Sequence, residues 1–147
     1  MNNLKQIAKD TNVVNSEKNW NGFNVLHDKA STVTACDIGI RQYRPNSLSK
    51  SKLVFILGHD DFRPEEIPED AFVIYQGSVG DEGVQFADLI LPGAGYTEKL
   101  GTHVNLEGRV QSSRAACTPP MHAKEDWMIL RALSEELGVT LPYDTQA

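Results

Sequence analysis

The 147-residue sequence has only two cysteines, Cys36 and Cys117. They lie far apart, and an iron–sulphur cluster normally takes four thiolates, so no cluster site or local redox motif is visible. Two buried free thiols in a reducing compartment are expected instead. Long apolar runs are lacking too. The longest candidates, Leu53-Val-Phe-Ile-Leu57 and Leu89-Ile-Leu91, fall far short of the ~20 residues that span a bilayer. A basic stripe is also missing: 20 acidic residues face 14 basic ones for a formal charge of −6. Apart from a loose group at Arg41, Arg44, Lys50 and Lys52, the cations are scattered, which argues against nucleic acid as a partner. The opening residues, Met1-Asn-Asn-Leu-Lys-Gln6, carry neither the apolar stretch of a signal peptide nor the Arg-rich pattern of a transit peptide.

What is present is ordinary globular material, 40% hydrophobic and 23% charged, of a length that suits one compact domain over residues 1–147. Strand-like and helix-like segments alternate, which predicts an α/β fold with an open, mostly parallel sheet and flanking helices. From Trp20 to Ile38 the residues Phe23, Leu26, Ala30 and Val33 recur at helical spacing, and Gly39 is placed to stop that helix. Arg41 to Ser51 reads as an exposed connection. Lys52 to Leu57 gives a short, continuously apolar strand of the kind found in a parallel sheet covered on both faces, and Ala71 to Gln76 and Ala87 to Leu91 read as a second and third buried strand. Phe62 to Asp70 is an acidic, proline-containing link. Thr102 to Gln111 predicts two short extended segments around a turn near Glu107-Gly108. Glu125 to Leu137 is the clearest helix: Glu125 and Asp126 favour its N-terminus, Gly138 ends it, and Trp127, Leu130, Leu133 or Ser134, and Leu137 face inward.

Several local signals could carry chemistry. Gly77-Ser-Val-Gly80-Asp-Glu-Gly83 follows a buried strand, where α/β sheets bind phosphates. Its spacing is not GxGxxG, however, and Asp81 and Glu82 would repel an anion, so a tight turn without ligand is expected. The histidines His27, His59, His103 and His122 are dispersed. His59-Asp60-Asp61 is the one local group of metal donors, but consecutive donors seldom converge on one ion, and a solvated loop is expected. No nucleophile elbow exists, and nothing around Glu98 or Glu107 would raise a carboxyl pKa. No catalytic, cofactor-binding or metal-binding residue is assigned.

The remaining feature runs from Ala87 to Gln111. A buried strand stops at Pro92, a Gly-rich turn follows, and Glu98 is placed to cap or brace the next segment. Gly101 and Gly108 permit positive φ, and Asn105, Glu107 and Arg109 can tie the following turn together through their side chains. This is a braced loop.

The pattern A-D-x-x-L-P-x-x-x-x-x-E-x-x-G-T-x-x-N-x-E-G-R-x-Q, with Asp88, Pro92, Glu98, Gly101, Thr102, Asn105, Glu107, Gly108 and Arg109 at its fixed positions, resembles the signature of the molybdopterin oxidoreductase superfamily. The flanks, notably Phe72 to Gly77, Thr118-Pro-Pro120, Glu125-Asp-Trp127 and Thr140 to Asp144, resemble the large iron–sulphur subunit of mitochondrial NADH:ubiquinone oxidoreductase, respiratory complex I. The resemblance covers about residues 4 to 145. It implies a partial molybdopterin-oxidoreductase-like domain without the ferredoxin-like cluster region. The implied role is a structural and assembly module of the matrix arm at the mitochondrial inner membrane, with no cofactor of its own. The implied partners are other matrix-arm subunits, above all a cluster-bearing N-terminal half of the same subunit. A fragment of an active molybdopterin enzyme, such as a formate dehydrogenase-like protein, and an independent nucleotide-binding protein are the alternatives. A partial sheet of this kind is expected to leave apolar surface bare for a partner.

Overall fold

The computed structural model describes residues 2–15, 17, 20–40, 48–80 and 82–145. Helix α1 (Asn2–Asp10) opens the chain and buries Ala8, and Asn12 at φ 58 turns the backbone out of it, as an asparagine after a helix C-terminus can. Strands β1 (Val14–Asn15) and β2 (Trp20–Asn21) pair antiparallel. Helix α2 (Thr32–Asp37) follows and ends at Gly39 with φ 84. The long helix expected from Trp20 is therefore cut to its last third. The cause is local: the Asn21 side chain accepts the Phe23 N–H and Asn24 donates to the Gly22 carbonyl, so these side chains satisfy the backbone in a non-helical path. The apolar spacing that suggested a helix face does not mark one, since Leu26 is 82% exposed.

The sheet is built from β3 (Leu53–Leu57), β4 (Phe72–Gly77) and β5 (Leu89–Pro92), all parallel in the order β3-β4-β5. The α/β class follows, with strands where the continuous apolar runs predict them. Val54, Ile56, Val73 and Tyr75 form a buried core on one face. Burial of such side chains contributes about 1.5–3 kcal/mol each. What covers them is not an α-helix: Phe62, Ile67, Ala71, Val84 and Ala87 come from two links whose only regular pieces are the 3-10 turns Pro64–Glu66 and Glu82–Phe86. Of the connection expected at Arg41–Ser51, residues 41–47 lie outside the described residues, and the rest is a turn closed from Ser51 N–H to the Leu48 carbonyl.

Strands β6 (Gly101–Val104) and β7 (Val110–Ser113) form the expected antiparallel hairpin. Helix α3 (Asp126–Glu136) closes the fold, with Gly138 beyond it at φ 73. Its most buried residue is Ser134, whose hydroxyl accepts the Leu141 N–H, whereas Leu137, expected inside, is 70% exposed. Arg131 donates to the Tyr143 carbonyl, Glu135 and Asp144, so it pins the tail along α3. The hydrogen bond to Glu135 raises its pKa most, against a lowering by burial, with Asp144 adding to the rise. Both cysteines are free and exposed rather than buried. Cys117 sits in the exposed 114–119 segment, close to the Thr97 carbonyl, and Cys36 lies on the open side of the short α2.

Candidate functional site

Loops after the C-terminal ends of β3, β4 and β5 occupy the side on which open α/β sheets bind ligands. The Gly-rich turn after β4 comes closest to a phosphate cradle. Its glycines answer to a different neighbour. A Cβ at Gly77 would lie 2.6 Å from the Tyr75 hydroxyl, and one at Gly83 would lie 2.5 Å from the Tyr75 ring. The turn is thus wrapped around a tyrosine that is 2% exposed.

The anion at this turn is internal. Asp60 accepts the Gly83 N–H through Oδ1 at 2.9 Å, and its Oδ2 lies 3.1 Å from the Tyr75 hydroxyl, which also lies 3.0 Å from the Val79 carbonyl. Asp60 is therefore not part of a solvated loop, as its neighbourhood in the sequence predicts, but a brace between the ends of two strands. Asp61 instead reaches Lys29 at 3.9 Å, and His59 leans on Phe62. Among the described residues no three potential metal ligands lie together. Asp81 is outside the described residues.

A cleft of about 510 Å³ opens beside this turn, between residues 77–79, 92–98 and 120–123. It contains no lysine or arginine; its ionisable residues are Tyr96, Glu98 and His122. Glu98 Oε2 accepts the Gly95 N–H at 2.8 Å, so it closes back on the preceding turn instead of bracing the next segment. Lys99, next in the chain, is paired with Asp126. The phosphate of a molybdopterin would find no free cation in this lining, and the residues present do not fit that cofactor.

The signature residues work as fasteners. Asp88 Oδ2 accepts the Val73 N–H at 2.8 Å while its own N–H donates to the Val73 carbonyl, which pins β5 to β4 at the start of their pairing. The Pro92 carbonyl accepts the Lys124 N–H, and Ala94 N–H donates to the Lys124 carbonyl, so Lys124 acts as a one-residue fourth strand. Gly101 does not take positive φ; a Cβ there would lie 2.8 Å from the tip of the exposed His103 side chain, at Nε2. Thr102 pairs with Ser112 across the hairpin. Asn105 Oδ1 accepts the N–H groups of both Glu107 and Arg109, and its Nδ2 lies 3.4 Å from Glu107 Oε2. Arg109 enters this turn through its backbone, not its guanidinium. Gly108 supplies φ 82.

Three fasteners were not legible in the sequence. Thr34 Oγ1 accepts the Val104 N–H at 3.0 Å and ties α2 to the hairpin. Asp126, read only as favourable to a helix N-terminus, also accepts from Lys99 and, at 2.9 Å, from Gln76 Nε2. Gln76, at the end of the apolar run of β4, is fully buried, an unusual position for a glutamine.

Comparison with known proteins places these features in context. The molybdopterin oxidoreductase family model matches residues 1–136. The mitochondrial NADH-ubiquinone oxidoreductase 78 kDa subunit of Candida albicans is 56% identical over 125 residues, which is 85% of this chain and 17% of that protein. Its counterpart in Neurospora crassa is 54% identical over 87% of this chain and 17% of its own length. The NADH-ubiquinone oxidoreductase 75 kDa subunit of Reclinomonas americana is 48% identical over 97% of this chain and 21% of its length. The chain thus spans about a fifth of the length of the curated relatives it matches.

Proposed function

The chain belongs to the molybdopterin oxidoreductase family, and from that premise we propose that it is a structural module of the large subunit of mitochondrial respiratory complex I. In this reading it sits in the matrix arm and supports NADH-to-ubiquinone electron transfer without a redox centre of its own. The iron–sulphur clusters are carried by the rest of the large subunit, which is its principal partner. The identity to 75 and 78 kDa subunits over most of the chain supports the assignment to that complex. A peripheral position agrees with the finding that no described helix is long and apolar enough to cross a membrane.

The observation that carries the redox-inert part is the use of the signature segment. Asp88, Glu98 and Asn105 each hold backbone N–H groups of this chain itself, and the amide of the Gly-rich turn is taken by Asp60. A cofactor-binding segment keeps such groups facing its ligand. Here they are taken by the chain's own side chains.

Gentle native purification followed by mass spectrometry tests the reading. Co-migration with cluster-bearing large-subunit polypeptide and other complex I subunits is the expected result. Solitary migration would sink it. Molybdenum or tungsten in stoichiometric amount would replace it with the reading of a fragment from an active molybdopterin enzyme.

A further inference from the structure

The lining that makes the 510 Å³ cleft unfit for an anion suits a cation. Glu98 is its one carboxylate, half-buried, and its bond from the Gly95 N–H uses Oε2 only. Among the described residues no lysine or arginine pairs with Glu98. The adjacent cations do not supply the missing charge: Lys99 is committed to Asp126, and Lys124 lies outside the lining. A half-buried carboxylate without a counter-charge favours one that arrives from outside.

The rim adds a second observation. Three large apolar side chains stand out around the cleft: Val79 is 69% exposed, Tyr96 81% and Met121 92%. Tyrosine and methionine are enriched where proteins meet one another. Met121 also has φ 48, a left-handed conformation that a long side chain rarely adopts. The turn closed from the Ala123 N–H to the Pro120 carbonyl holds it there. Nothing in this chain repays that strain by burying the side chain.

We propose that the cleft is a docking site for a segment of another polypeptide that presents an arginine between apolar side chains. The guanidinium donates to Glu98 and stacks on the Tyr96 ring, and the apolar flanks cover Val79 and Met121. Arginine suits the site better than lysine, because its planar, weakly hydrated group loses less on leaving water and can stack. A small guanidinium compound would leave the outward-facing rim bare, whereas a peptide covers it. A second copy of this chain is disfavoured by charge, since each carries −6. The proposal stands on this geometry and does not need the complex I assignment.

The test is NMR titration of the full, isotope-labelled chain with the blocked peptide Ac-Leu-Arg-Leu-NH2, near pH 7.5 and so above the ordinary histidine range. Amide shifts are expected at residues 77–79, 95–98 and 121–123. The same peptide with citrulline, which keeps the shape and lacks the charge, should bind about tenfold more weakly. Glu98→Gln should cost the arginine peptide a similar factor, although its amide oxygen can still accept the Gly95 N–H and keep the loop closed. Met121→Gly, which relieves the backbone strain and so does not endanger the fold, should weaken binding several-fold. Equal binding of the arginine and citrulline peptides, or full binding to Glu98→Gln, would overturn the proposal. So would the absence of shifts at these amides up to about 10 mM arginine peptide. Self-association of the wild type that Met121→Gly abolishes would give the rim to a second copy and overturn it as well.

Discussion

The two faces of the parallel sheet are made by the same three strands, from the same classes of side chain, yet they are covered unequally. On one, Val54, Ile56, Val73 and Tyr75 are sealed by short links that arrive within the same stretch of chain. On the other, Ile74 and Gln76 of the central strand are buried, while Leu53, Leu57, Phe72 and Leu89 around them stay about half exposed. Sequence alternation cannot distinguish them, because both sets are apolar, as a doubly covered sheet requires. What separates them is connectivity. The first face is sealed by residues 58–71 and 82–88, whereas the second is closed only at its centre and open at its margins. A face can therefore be hydrophobic by design and still be incomplete.

Substitutions can break or sharpen this contrast. The largest effect is expected for Ile56→Ala, which empties a site that is 7% exposed and should destabilise the chain by about 2–5 kcal/mol in urea unfolding. An effect no larger than that of a surface change would mean that the covered face is not a true core. Asp88→Ala should follow at about 1–3 kcal/mol, because it strands the N–H of buried Val73 that Asp88 now satisfies. Hydrogen exchange should locate the loosening at the β4–β5 pairing, and unchanged protection there would refute the fastener role. Leu53→Ser in the isolated chain should move stability by no more than about 0.5 kcal/mol. A loss of several kcal/mol would show that the second face is covered in solution after all.

The sheet, the hairpin and α3 were legible because each announces itself locally. Unbroken apolar runs such as Phe72-Val-Ile-Tyr mark strands in a parallel sheet, and Asn105 with Gly108 marks a turn. The stretch after Trp20 was not legible, because helical spacing at Phe23, Leu26 and Ala30 competes with Asn21 and Asn24, whose side chains reach their own backbone. Helix α1 carried too few large apolar residues to stand out. The cysteines were misplaced for a general reason: free cysteine is usually buried, but Cys117 lies in a segment with few apolar neighbours to bury it. At the site, the identity of the signature residues was readable, and the bracing by Asn105 could be anticipated. The inward turn of Asp60 could not, since its partners Tyr75 and Gly83 come from strand β4 and the turn that follows it.

Asp60 has a consequence for the history of such a loop. By filling the Gly83 amide with a carboxylate of its own, the chain holds a permanent surrogate for the ligand that a Gly-rich turn would otherwise attract. Adding a lysine nearby would not reopen the site, because the internal anion would neutralise the newcomer first. Ligand binding here would have to be regained in two steps, removal of Asp60 and then gain of a cation. The first step alone leaves Gly83 and Tyr75 without that partner, so the loop is held in its present state by its own stability.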